Sequence, residues 1–144
     1  MNVLVRPAEK RDVARLAELM AELGYPISLP DMENRLAFVT ASAHDELFVA
    51  EIDGRVVGLI GVQIAEFIHR LARYGVITAL AVSADHRRHG IGSHLLRHAE
   101  SLLKEKGVVD VRVSAGLHQK HRAHKLYRAS GYQMTGYRFT KTLG

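Results

Sequence analysis

The chain contains no cysteine. No disulfide can form, no thiolate can serve as a nucleophile, and no thiolate metal site exists. Aromatic residues make up only 6% of the sequence, and they are not gathered into the stacking platform that single-stranded nucleic acid requires. No apolar run approaches the roughly 20 residues of a membrane-crossing helix, so no membrane partner is expected. The opening segment, Met1-Asn2-Val3-Leu4-Val5-Arg6, lacks the layout of a signal peptide, and the expected location is the cytoplasm. What is present is 144 residues, 47% hydrophobic and 24% charged, the composition of one globular domain spanning 1–144. The net charge of +5 favours anions in general, and a small anionic ligand accounts for it more economically than nucleic acid.

Periodicity places the elements. Val3-Leu4-Val5 reads as a short strand. Val13, Leu16, Ala17, Met20 and Leu23 recur at helical spacing over residues 10–23, with Gly24 and Pro26 closing the helix. Ser28 predicts an N-cap for a second helix that runs to about residue 41, with Met32, Leu36 and Val39 inward. Residues 46–52 and 55–64 are two β-rich runs joined by Asp53-Gly54, a hairpin signal. Gly58 and Gly61 inside the second run indicate bulges or close backbone approach. Residues 66–74 read as a strand end followed by a loop. A buried strand covers 76–82, a helix 91–106, a strand 108–114, a helix 120–130 and a final strand 132–142. The order predicts an α/β fold with a mixed, mostly antiparallel central sheet flanked by helices.

The densest chemical signal lies at 79–103. The apolar run Val76-Ile77-Thr78-Ala79-Leu80-Ala81-Val82 breaks at Ser83-Ala84-Asp85-His86. Arg87-Arg88-His89-Gly90-Ile91-Gly92 then leads straight into a helix. A helix N-terminus carries unpaired N–H groups and a partial positive charge, the glycines admit close backbone approach, and arginine adds fixed charge. Strand, basic glycine loop and helix together form a diphosphate-binding device. A dinucleotide fingerprint would need a third glycine where Leu95 stands, and no Gly-Lys-Ser/Thr follows for a P-loop.

Leu80-Ala81-Val82 followed by Arg87-x-x-Gly90-x-Gly92 resembles the acetyl-CoA loop of the GNAT acyltransferase superfamily. Ala123-His124-Lys125-Leu126-Tyr127-Arg128-Ala129-Ser130-Gly131-Tyr132 is similar to the family's C-terminal element. The ending Tyr137-Arg138-Phe139-Thr140-Lys141 and Val56-Val57-Gly58-Leu59-Ile60-Gly61 look like those of small-amine, aminoalkylphosphonate-type acetyltransferases. The resemblance implies acetyl-CoA as cosubstrate. It implies that the N–H groups of Arg88, His89, Gly90, Gly92 and Ser93 hold the pyrophosphate, with Arg87 beside them and Ile91 within the loop. It also implies that the backbone of the Leu80, Ala81 and Val82 segment receives the pantetheine arm, which adds to the sheet like another strand. His124 is a candidate for the adenosine phosphate.

Tyr127 matches the family's tyrosine near the sulfur, in the role of general acid. Many relatives carry a glutamate on the strand before the loop. Here that strand offers Val76, Ile77, Thr78 and Ala79, so the candidate bases are Glu66 and His69, or water ordered by Thr78. His94 with His98 and His121 with His124 stand one helical turn apart, but a His pair binds zinc only with further converging ligands, and no metal is expected. The implied reaction is direct acetyl transfer to a primary amine of a small molecule, without an acyl-enzyme. Two alternatives stay open: a protein or peptide N-acetyltransferase of the same fold, and a non-catalytic module binding coenzyme A or nucleic acid. A homodimer is an open option.

Overall fold

The computed structural model describes residues 2–68, 70–113, 120–136 and 139–144. The chain divides into two compact units, Met1–Ser114 and Ala115–Gly144. The first holds five strands, β1 (Leu4–Pro7), β2 (Asp45–Ile52), β3 (Arg55–Phe67), β4 (Arg70–Val82) and β5 (Val111–Val113), and three helices, α1 (Val13–Leu23), α2 (Leu29–Ala41) and α3 (Ile91–Glu105). The sheet order is β1-β2-β3-β4-β5. The first three pairings are antiparallel and β4–β5 is parallel. The parallel pair is closed through α3, the βαβ connection that the apolar pattern predicts.

Local chemistry sets most boundaries. Gly24 ends α1 in the left-handed region at φ 104°, a conformation glycine adopts without steric cost. Ser28 caps α2 by accepting the Asp31 N–H at 3.2 Å. Asp53 and Gly54 both carry positive φ, 50° and 78°, as a tight two-residue hairpin turn requires.

Helices α1 and α2 cover one face of the sheet. Leu16, Leu19, Met32 and Leu36 pack there with Val49, Val56, Leu59 and Ala81. Helix α3 covers the other face, and two strand glycines make room for it. A Cβ on Gly58 would meet Leu95 Cδ1 at 3.1 Å, and one on Gly75 would meet Leu103 Cδ1 at 2.5 Å. The buried stripe of α3 is Ile91, Leu95, Leu96, Ala99 and Leu103.

Three expectations change. Residues 66–74 are not a loop: β3 and β4 run on to Phe67 and back from Arg70 as one long hairpin. Cross-strand pairing extends both strands, with Ala65 opposite Tyr74 and the Phe67 and Tyr74 rings stacked at 4.8 Å. The strand after α3 begins later than expected: among the described residues it covers Val111–Val113, which pair with β4. The described residues of 132–142 carry no strand. Residues 133–136 are exposed, and a segment with neither a buried face nor a described neighbour lacks the cross-strand pairs that stabilise a sheet. The second unit contains α4 (Lys120–Ala129), closed at Gly131, where φ is 90°.

Candidate functional site

Strand β4 creates the site by breaking its own regularity. Val62 pairs with Ile77 and Gly61 pairs with Ala79, so Thr78 is an extra residue, a β-bulge. Before the bulge, the Gly75 N–H donates to the Asp110 carbonyl at 2.8 Å, facing the β5 edge. After it, the Ser83 N–H donates to the Val57 carbonyl at 2.8 Å, facing β3. Backbone groups alternate along a strand, so Ala81 faces β3 while Leu80 and Val82 face outward. The described pairing with β5 runs from Gly75 opposite Val111 to Ile77 opposite Val113, and residues 114–119 lie outside the described residues. Among the described residues no strand covers the edge at Leu80 and Val82. This open edge is the one the sequence assigns to the pantetheine arm.

The loop follows directly. Ser83 is buried, and its carbonyl accepts the His86 N–H at 2.9 Å in a single 3-10 turn, Ala84–His86. The Ala84 N–H donates to Glu22 Oε2 of α1 at 3.3 Å. This anchor has no sequence signal, because Glu22 reads as an ordinary outward-facing helix acid. Arg88 sits at φ 68° and Gly90 at φ 76°, a pair of left-handed residues that turns the chain into α3. Gly90 is the N-cap and supplies no side-chain cap. Its carbonyl accepts the His94 N–H at 3.0 Å. The N–H groups of Ile91, Gly92 and Ser93 therefore precede the first intrahelical bond and have no intrahelical acceptor. Among the described residues, nothing beyond Gly90's own chain neighbours and helix backbone lies within 4 Å of a Cβ placed on it, so the approach is clear. Arg88 and His89 are exposed beside it, and Asp85 is the single acid between residues 83 and 97. Donors, helix dipole and charge all suit a diphosphate.

Arg87 makes a contact that the sequence does not announce. Its Nε–H donates to the Val82 carbonyl at 3.3 Å, which ties the loop back to the strand end and satisfies one of the outward groups. Among the described residues, Leu80 N–H and C=O and Val82 N–H are left without a strand partner on this side.

Glu66, a candidate base, is not brought to this corner. Glu66 is exposed near the hairpin tip, six residues along β3 from Ile60, the partner of Leu80. Six residues of strand span about 20 Å, so Glu66 lies beyond proton-transfer reach of the open edge. The sequence places it near the strand only by proximity in number, which a long hairpin converts into distance. His69 lies outside the described residues. Thr78, in contrast, is exposed on the bulge itself.

In the second unit, Tyr127 is half-buried on α4, its ring 5.7 Å from that of Tyr132 at a 60° tilt. Burial pushes its phenol pKa up, which keeps the group protonated. His124 is half-buried on the same helix. Of the histidine pairs, His98 packs its ring edge on Phe48 at 4.6 Å, while His94 is exposed. The side chain of His121 lies outside the described residues. Among the described residues, no three His, Cys, Asp or Glu side chains are grouped to hold a metal, and no helix is long and apolar enough to cross a membrane.

Comparison with known proteins agrees with this geometry. An aminoalkylphosphonate N-acetyltransferase of Salmonella typhimurium is 33% identical over 91 residues, covering 63% of this chain and 58% of the relative. N-acetyltransferase family 8 member 2 of Rattus norvegicus is 32% identical over 107 residues, covering 72% of this chain and 47% of that protein. The chain thus spans about half the length of these curated relatives. A GNAT family acetyltransferase structure from Staphylococcus aureus superimposes with a TM-score of 0.83 at 25% identity, covering 99% of this chain and 100% of the other. The model of the acetyltransferase (GNAT) family matches residues 13–132, a span that takes in both helices of the first layer, the bulged strand, the glycine loop and Tyr127. The chain belongs to the GNAT acetyltransferase family.

Proposed function

We propose that the protein transfers the acetyl group of acetyl-CoA to a primary amine of a small molecule by direct attack. The observation that carries this reading is the juxtaposition of the outward-facing backbone of Leu80 and Val82, which no strand covers among the described residues, with the α3 N-terminus at Gly90, which has no side-chain cap. One element gives the pantetheine amides a strand edge to pair with, and the next gives the diphosphate a set of N–H donors.

The amine nitrogen attacks the thioester carbonyl carbon, the C–S bond breaks, and the sulfur leaves as thiolate. The Leu80 N–H polarises the carbonyl oxygen. Tyr127, kept protonated by burial, donates its proton to the leaving sulfur and is reprotonated from solvent. Holding amine and thioester together supplies a large share of the acceleration. No cysteine is present, which supports direct transfer over a thioester-linked acyl-enzyme. Glu66 has no part in the step, and the ammonium proton passes to water ordered at Thr78.

The acceptor class that fits best is an amine bearing an anionic group. The net charge of +5 favours such a substrate, and the Salmonella relative's name specifies an aminoalkylphosphonate. A panel of aminoalkylphosphonates, aminoglycosides, polyamines and acidic peptides, assayed for free thiol release with product mass confirmed, tests this. Fastest turnover on aminoalkylphosphonates is expected. Acetylation of peptides alone, or tight acetyl-CoA binding without transfer to any amine, would overturn it.

A further inference from the structure

The outward presentation of Leu80 and Val82 depends on a single extra residue in β4, and the structure shows what holds that residue in place. Gly61 pairs with Ala79, immediately beside the bulged Thr78. A Cβ built on Gly61 would stand 2.5 Å from Thr78 Oγ1, while its next contacts, Ala79 N at 3.6 Å and Ala79 Cβ at 3.8 Å, are ordinary van der Waals distances. The Thr78 hydroxyl therefore occupies the volume that any other residue at position 61 would fill. Thr78 is β-branched, so its rotation is restricted and it cannot swing aside freely. Gly61 and Thr78 interlock.

The consequence is a change of parity along β4. Ahead of the bulge the odd-numbered residues turn their backbone groups to the β5 edge, as the Gly75 bond to Asp110 shows. Past it the odd-numbered residues turn to β3, as the Ser83 bond to Val57 shows. With Thr78 drawn into regular pairing, Ala79, Ala81 and Ser83 would face the open edge, and Leu80 and Val82 would bond to β3. The side chains would reverse as well, turning Ala81 out of the cluster it shares with Leu59 and Leu16.

We infer that Gly61 is a positioning residue: by leaving space for the Thr78 hydroxyl it keeps the bulge in β4 and so directs the Leu80 and Val82 backbone toward acetyl-CoA. This rests on the proposed acetyl-CoA reading of the same edge. Gly61 touches no substrate and acts through Thr78.

The test is a rescue. Gly61→Ala is expected to weaken acetyl-CoA binding by about tenfold or more in calorimetry. Thr78→Ala removes the colliding atom, so the double variant Gly61→Ala/Thr78→Ala is expected to bind within about threefold of Thr78→Ala alone. Melting temperatures of all variants are recorded alongside. A merely structural role would lower stability without this paired loss and recovery of affinity. Wild-type affinity in Gly61→Ala, or a double variant as weak as the single one, would overturn the inference. Amide hydrogen exchange without ligand separates it from the functional reading. The Ala81 N–H should be protected and those of Leu80 and Val82 should exchange fast in the wild-type protein, with the pattern inverted in Gly61→Ala. An unchanged pattern overturns the interlock even if acetyl-CoA binds, and an inverted one supports it even if acetyl-CoA does not.

Discussion

At the scale of single residues, the proposed reaction assigns binding to Gly90 and chemistry to Tyr127. Gly90 combines a left-handed backbone with room for a Cβ among the described residues. Gly90→Asp is tolerable sterically, and aspartate accepts the left-handed region better than most residues. Its carboxylate would meet the incoming diphosphate at the α3 N-terminus. Acetyl-CoA affinity is expected to fall by more than about tenfold with little change in melting temperature, measured by calorimetry and thermal unfolding. Tyr127→Phe keeps the ring contact with Tyr132 and removes only the hydroxyl. Steady-state kinetics are expected to show kcat reduced about a hundredfold with KM for acetyl-CoA nearly unchanged. An equal effect on both constants would mean that the hydroxyl binds rather than donates a proton.

At the scale of elements, the strand glycines record which surfaces pack closely. Gly58 is legible in the sequence as a glycine within a strand, whereas Gly75 falls just outside the strand expected at 76–82, and the partners of both, Leu95 and Leu103 of α3, are not legible. Contacts between residues so far apart in the chain are fixed by how α3 lies on the sheet. Gly75→Ala would press a methyl group into Leu103 and is expected to destabilise the fold by about 1–3 kcal/mol. Combined with Leu103→Ala, the cost is expected to be less than the sum of the two single changes, as denaturant titration would show. The hairpin of β3 and β4 teaches the same lesson about range. Glu66 is close to the apolar strand in number, yet the register carries it about 20 Å along the sheet.

At the scale of the whole molecule, the first strand is tied to the first helical turn and to the sheet by a buried charge network. Arg6 donates to both carboxylate oxygens of Asp12, at 2.8 and 3.0 Å, and to Glu51 at 3.1 Å. The Glu9 N–H adds a further bond to Asp12 at 2.7 Å. Burial alone would raise the Asp12 pKa. The Arg6 and Glu9 bonds outweigh it and hold the carboxyl below its ordinary 3.8. The bonds to Asp12 and Glu51 raise the Arg6 pKa despite its burial. A carboxyl with a depressed folded pKa contributes stability that is complete above its unfolded pKa and lost as the pH falls through its folded value. Asp12→Asn removes one of the two carboxylates paired with the half-buried Arg6, leaving Glu51, and is expected to cost about 1–3 kcal/mol at neutral pH. Its further loss of stability below about pH 4 should be shallower than in the wild-type protein, as paired denaturation curves at neutral and acid pH would reveal.

The amino-acid order by itself determined the helices with clean apolar stripes and the Asp53-Gly54 turn. It also marked the glycine loop after a buried strand, because these depend on chemistry within a few residues. It marked the corner proposed for acetyl-CoA and carried the family resemblance for the same reason: phosphate recognition at a helix start is a local device. Tertiary structure alone decided that Thr78 bulges against Gly61, that Arg87 folds back onto Val82, and that Glu22 anchors Ala84. Each is a contact across elements, where pairing register and the fit of side chains select among arrangements that local sequence leaves equally open.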